Sequence, residues 1–280
     1  MRDTPEKKKE KGRHRIMTAD TAYSSAQPVA LSVDGLLKTF GRKTAVDNLH
    51  LDVPEGSFYG IVGPNGAGKT TTLQMCTGML LPSAGHVSLF GKDVWENLDE
   101  ARAVMGVMPQ ADEIFDRLTG RQLLIYVGLL HGMKREESRR RADDLMAAFG
   151  LADAGKKIVA DYSTGMKKKI CLAVAMIHSP RILFLDEPFE AVDPVSSANL
   201  RDILKGYVAG GGTVVISSHV MALVEKMCSH VAIIAEGTVR AAGTLEEVSA
   251  GEELEDRFFE LVGGRQETAH FDWLQGGEQE

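Results

Sequence analysis

The chain has 280 residues, 44% of them apolar and 25% charged, a composition that fits one large or two modest soluble globular domains. The net charge of −7 is unevenly spread: residues 2–15 carry seven basic and three acidic groups, residues 246–280 carry two basic and eleven acidic, and the middle is left at −2. That middle has no basic surplus, so no nucleic-acid partner is expected.

Cys76, Cys171 and Cys228 lie far apart with no C-x-x-C spacing, which argues against zinc or redox chemistry and for thiols that fill a core. No apolar stretch approaches the ~18 residues of a membrane-spanning helix. The charged N-terminus is followed by no apolar h-region, so a secretory signal is not expected. The expected location is the cytoplasm, unless a partner holds the chain at a membrane.

Residues 1–27 are polar, charged and short of large apolar groups, and are expected to form a disordered arm. Its run Lys7-Lys-Lys-Glu-Lys11 either meets anionic lipid or is simply solvated. Order is expected from about residue 28. Val29–Val33 and Leu49–Val53 alternate as strands do, punctuated by the turns Gly41-Arg-Lys43 and Pro54-Glu-Gly56.

The apolar run Phe58–Val62 leads into Gly63-Pro64-Asn65-Gly66-Ala67-Gly68-Lys69-Thr70, and a helix is predicted over Thr71–Thr77. The spacing is G-x-x-x-x-G-K-T. A strand, a glycine-rich turn and a helix N-terminus make an anion site, because the turn's backbone N–H groups can curl around phosphate oxygens and the helix end adds a favourable dipole. Lys69 is placed to reach the β- and γ-phosphates, and the Thr70 hydroxyl to sit on Mg2+. This is a nucleoside triphosphate site.

A loop over Leu81–Gly85 and short strands at His86–Phe90 and Val104–Met108 are predicted next. From about Leu118 to Leu151 the apolar residues Leu123, Leu124, Val127, Leu130, Leu145, Met146 and Phe149 recur at helical spacing, which predicts a helical insertion. The charged run Lys134–Arg141 is expected on the exposed face of its second helix. From Ile182 strands and helices alternate: Ile182–Leu185, Pro194–Val208, Thr213–Ser217, Val220–Met227 and Val231–Ile234. Short apolar strands between helices imply a parallel sheet covered on both faces.

Ile182–Leu185 delivers Asp186 and Glu187 to the C-terminal end of a central strand, where open α/β sheets bind ligands. Asp186 is suited to hold Mg2+ through its water shell, and Glu187 to act as a base on the attacking water. His219, after Val214-Val-Ile-Ser-Ser218, falls in the same region and can orient that water. Ser163 is a natural N-cap for a helix over Gly165–His178, leaving amide N–H groups at a free, positive end.

These motifs together resemble the nucleotide-binding subunits of ATP-binding cassette (ABC) transporters over about residues 29–245. Besides the phosphate loop and the Asp186–Glu187 strand, Gln110 in Val107-Met-Pro-Gln110 matches the Q-loop, and Tyr162-Ser163-Thr164-Gly165-Met166 stands where the family carries its signature. Asp193 stands in the D-loop, His219 after the next strand, and Phe40 where an aromatic meets adenine. The usual signature is Leu-Ser-Gly-Gly-Gln; the Tyr-Ser-x-Gly-Met variant is similar to that of bacterial exporter ATPases.

The resemblance implies a P-loop NTPase of the α/β class with a mostly parallel central sheet, an N-terminal antiparallel β subdomain and a helical insertion subdomain at about 115–180. The ATPase domain would span 28–245, followed by an acidic C-terminal helix and tail over 246–280, where Leu254–Val262 is amphipathic. ATP and Mg2+ are the implied ligands: Phe40, residues 63–71 with Thr71, Gln110, Ser163, Gly165 and Asp193 for the nucleotide, and Thr70, Gln110 and Asp186 for the ion. Two copies would pair head to tail, Ser163 and Gly165 of one capping ATP on the other. A polytopic permease on the inner face of the membrane would dock near Gln110, with Phe115 and Leu118–Tyr126 as candidate contacts, the leucines alternatively packing inside the helical subdomain. The competing reading is a soluble ABC-type ATPase acting on ribosomes or DNA; a single phosphate loop and the absence of a long coiled-coil insertion count against it.

Overall fold

A computed structural model describes residues 28–264. The predicted N-terminal arm and the Gly-, Gln- and Glu-rich end of the tail lie outside the described residues. Two long strands, β1 (Val29–Phe40) and β2 (Lys43–Pro54), form an antiparallel hairpin across the turn at Gly41. Each is much longer than the alternating stretches predicted, because bulges at several points let the pair curl while keeping one face buried. β4 (Ala84–Leu89) and β5 (Lys92–Asp93) extend this into a four-stranded sheet ordered β2-β1-β4-β5.

The second sheet has six strands. In chain order these are β3 (Phe58–Val62), β6 (Met105–Val107), β7 (Ile182–Asp186), β8 (Thr213–Ser218), β9 (His230–Ala235) and β10 (Thr238–Thr244). Their spatial order is β10-β9-β3-β8-β7-β6, parallel throughout except for the β9–β10 edge. Alternate residues of the central strands serve two cores. Phe58, Val62, Leu183, Leu185, Val214 and Ile216 face one side, and Tyr59, Ile61, Ile182, Phe184 and Val215 the other. Full burial of such side chains stabilises by about 1.5–3 kcal/mol each, so neither face can turn to water.

α1 (Lys69–Cys76) and α2 (Leu98–Val104) belong to the side shared with the antiparallel sheet. On the other side α3 (Gly120–Leu130) and α4 (Arg135–Ala148) pack on each other and on α5 (Thr164–Met176), burying Leu123, Leu124, Met146 and Ile170. A reciprocal capping box between Thr119 and Gln122 starts α3, and a paired contact of Arg121 with Asp143 at 2.6 and 2.8 Å ties it to α4. α6 (Pro194–Ala209), α7 (Met221–Met227), α8 (Leu245–Ser249) and α9 (Leu254–Val262) complete the chain. All three cysteines are buried and free.

His178 links α5 to the sheet strand that leads to Gln110. Its Nε2 donates to the Met105 carbonyl at 2.9 Å, and its ring stacks on His131 at 3.7 Å between centroids and 4° between planes. Burial, aided by neighbouring His131 and Arg141, pushes the His178 pKa down to about 4. The folded protein therefore keeps this ring neutral while the unfolded chain protonates it near its ordinary value of about 6.5, so stability falls as pH drops from there toward 4. The His178→Gln protein, whose amide can still donate to a carbonyl, is expected to show a shallower loss of melting temperature across that window. An unchanged slope would mean that other groups carry the acid sensitivity.

Candidate functional site

The phosphate loop leaves β3 and enters α1 with its backbone pressed against two other elements. A Cβ on Gly63 would stand 2.2 Å from the Ile234 carbonyl oxygen, so no larger residue fits. Gly68 sits at φ +104, and a Cβ there would stand 2.5 Å from the Ala45 carbonyl oxygen of β2. The β9–β10 turn supports the loop from behind, Gly237 donating its N–H to the Ala67 carbonyl at 3.0 Å. Gly68 caps α1 without a side chain, so no side-chain oxygen takes up the first N–H groups of the helix.

Those groups border a cleft of about 300 Å³ lined by Asn65 to Thr71, with Phe40, Lys43 and Ala45 on one wall and Glu187 on another. Phe40 is half exposed at its rim, with the Lys38 ammonium 5.2 Å from its ring centroid. Lys69 is nearly buried, its ammonium 2.7 Å from the Gly63 carbonyl oxygen and 3.2 Å from that of Pro64. Burial lowers its pKa, against the opposing pull of Glu187 and Asp186. A buried cation beside a helix start that no side chain caps is a charge arrangement that favours a polyanion.

Asp186 ends β7 beside this loop. Its Oδ2 accepts from Thr70 Oγ1 at 2.9 Å, and its Oδ1 accepts a short hydrogen bond from Ser217 Oγ on β8. Gln110 and Glu113 border a smaller adjoining cavity of about 60 Å³ together with Thr70 and Asp186. These are hard oxygen donors, and among the described residues no cluster of three His, Cys, Asp or Glu could hold an ion unaided. One carboxylate, a hydroxyl and an amide suit Mg2+, which is normally held by one or two carboxylates with substrate phosphates and water supplying the rest.

Glu187 follows with φ +45, a left-handed conformation that costs a non-glycine residue about 1–2 kcal/mol. The strained turn brings its Oε1 to 3.0 Å from Nδ1 of His219, which follows β8. The parallel register explains the meeting, since Val62 pairs with Ser218 and Asp186 with Ser217, so three strands end at one level. A carboxylate and an imidazole in contact beside a phosphate loop can accept a proton from water and fix its direction.

The remaining predicted residues lie together, but outside that cleft. Ser163 caps α5, its Oγ accepting from the Met166 N–H at 3.3 Å. Asp193 caps α6 by accepting from the Val195 and Ser196 N–H groups at 3.1 and 2.9 Å, and these bonds with the Ser196 hydroxyl hold its carboxyl below the usual range. A Cβ on Gly165 would stand 3.4 Å from Asp193 Oδ2, so the start of α5 and the D-loop touch. Sequence reasoning missed Lys43 on the cleft wall, Ser217, and Lys168, whose Nζ donates to the Glu187 carbonyl at 3.1 Å. Two serines ending a buried apolar strand were the available signal for Ser217; nothing in the sequence separates Lys168 from the lysines on either side of it.

Comparison with known proteins agrees with this geometry. The family model described as ABC transporter matches residues 46–190, slightly more than half the chain. This chain belongs to the ABC transporter family. A daunorubicin resistance ATP-binding protein of Streptomyces coeruleorubidus is 38% identical over 221 residues, covering 79% of this chain and 70% of that protein. A linearmycin resistance ATP-binding protein of Bacillus subtilis is 31% identical over 214 residues, covering 76% and 69%. A solved ATP-binding subunit of an ABC transporter superposes with a TM-score of 0.77 at 26% identity, covering 83% of this chain and 99% of that one. The protein is thus an ATP-binding, ATP-hydrolysing transporter subunit with the ABC ATPase fold. No helix among its described residues is long and apolar enough to cross a membrane.

Proposed function

We propose that this ABC ATPase powers export through a separate polytopic membrane subunit, hydrolysing Mg-ATP at two sites closed by head-to-tail pairing of two copies. The observation that carries the chemistry is the Glu187–His219 contact of 3.0 Å at the wall of the phosphate-loop cleft. Lys69 and the loop N–H groups bind the phosphates, with Thr71 at the start of the helix and Phe40 against the base. Thr70, Asp186 and Gln110 would hold Mg2+, which supplies charge neutralisation on the phosphate oxygens. Glu187 takes a proton from water as the water oxygen bonds to the γ-phosphorus. The bond from that phosphorus to the bridging oxygen breaks, and ADP leaves. His219 fixes the water and the carboxylate in line.

The pairing is supported by where Ser163 lies. The N-terminal end of α5 is a good place for phosphate, yet Ser163, Gly165 and Asp193 do not border this chain's own cleft. A second copy presenting its cleft to that end satisfies both halves at once. Export, rather than action on ribosomes or DNA, is supported by relatives named for drug resistance and by a Nod factor export ATP-binding protein of Paraburkholderia xenovorans that is 34% identical. Docking at the inner membrane face is supported by exposed apolar residues near Gln110: Phe115 is 57% exposed and meets Tyr126 edge to face at 5.3 Å.

Glu187→Gln is expected to bind ATP with wild-type affinity, lose turnover by a factor of about 10² or more and accumulate as an ATP-bound dimer on size-exclusion chromatography. Adding Ser163→Arg should leave ATP binding by the monomer intact and abolish the dimer. Normal turnover by Glu187→Gln would remove it from the role of base, and loss of monomer ATP binding by the double variant would show that α5 serves its own chain's nucleotide.

The membrane partner has its own test. Phe115→Asp should shift the protein from the membrane fraction of its own cells to the soluble fraction without changing ATP affinity. Unchanged membrane recovery would exclude this face as the docking surface.

A further inference from the structure

The strained turn at Glu187 is held from two sides. Its N–H donates to Ser217 Oγ at 3.0 Å, the same hydroxyl that donates to Asp186. Its carbonyl accepts from the Glu190 N–H at 3.2 Å and from Lys168 Nζ at 3.1 Å. The first of these carbonyl bonds is internal to the turn; the second comes from another element, just past the first turn of α5. A left-handed φ on a glutamate persists only where its surroundings over-determine it. A long cationic side chain that is half buried adds a charge-assisted hydrogen bond to those that hold this turn.

We propose that Lys168 is a positioning residue for ATP hydrolysis: its ammonium fixes the Glu187 carbonyl and thereby the direction of the Glu187 carboxylate toward His219. The inference rests on the reading of Glu187 as the base. The hydrogen bond of Lys168 goes to Glu187, whereas Lys69 and Thr70 bond to Gly63 and Asp186. Its loss therefore acts on the chemical step and spares ATP binding. Because Lys168 and the Ser163 cap share one helix, this bond gives movement of that helix end against a second copy a route to the base.

The test is steady-state ATP turnover by the full chain, with melting temperature confirming that each variant folds. Lys168→Met is expected to lower kcat by about ten- to a hundred-fold while KM for ATP stays within about two-fold, the pattern of a misaligned catalytic group. Lys168→Arg, which keeps a long cationic donor, should recover most of kcat. In a Glu187→Gln background, adding Lys168→Met should cause no further loss, since the two act on one step. An unchanged kcat in Lys168→Met overturns the proposal, as does an Arg variant no better than Met. A rise in KM with kcat unchanged would reassign Lys168 to nucleotide binding. Normal turnover by Glu187→Gln alone would remove the base reading and this inference with it; an inactive Glu187→Gln beside a fully active Lys168→Met would overturn this inference only.

Discussion

The carboxylate of Asp186 is the junction on which the site depends. It ends β7, accepts from Thr70 at the start of α1 and accepts from Ser217 at the end of β8. These two hydrogen bonds join the phosphate loop, the acidic strand end and the histidine strand. A five-residue strand with four buried apolar side chains delivers the carboxylate there, and the parallel pairing on both sides leaves it no freedom to slip. Fold and chemistry meet in that one side chain.

Immediately after this junction the backbone departs from regular geometry. Glu187 adopts the left-handed conformation, and its side chain meets His219. The cost is offset by hydrogen bonds to both its N–H and its carbonyl. One of these comes from Lys168 just past the first turn of α5, and Ser163, which caps that same end, does not border the chain's own cleft. The same helix therefore has one contact with the catalytic turn and one surface suited to another copy's nucleotide. If two copies pair as proposed and Glu187 is the base, such an arrangement links closure of the pair to readiness of the base.

Much of this was legible in the sequence because the signals are local. A glycine-rich loop between an apolar run and a helix, and two acids after four apolar residues, need only their neighbours to be read. The helical spacing around Leu123, Leu124 and Met146 and the amphipathic Leu254–Val262 likewise correspond to α3, α4 and α9. What escaped depends on distant partners. β10, with its run Thr-Val-Arg-Ala-Ala-Gly-Thr, has little strand character and exists through antiparallel pairing with β9. β1 and β2 extend well beyond their alternating cores because the hairpin curls through bulges. The glutamate's positive φ and the lysine that holds it are tertiary facts, set by where α5 passes the end of β7.

The most direct test of the central claim is calorimetric titration of ATP into the wild-type protein and Asp186→Asn, each with and without Mg2+. If Asp186 joins the phosphate loop to the ion, the wild type should bind ATP more tightly when Mg2+ is present. The variant should keep its Mg2+-free affinity within about two-fold and lose most of the gain from the ion. Equal gains from Mg2+ in the two proteins would contradict the account, because the ion would then be held elsewhere and the junction at Asp186 would be structural alone.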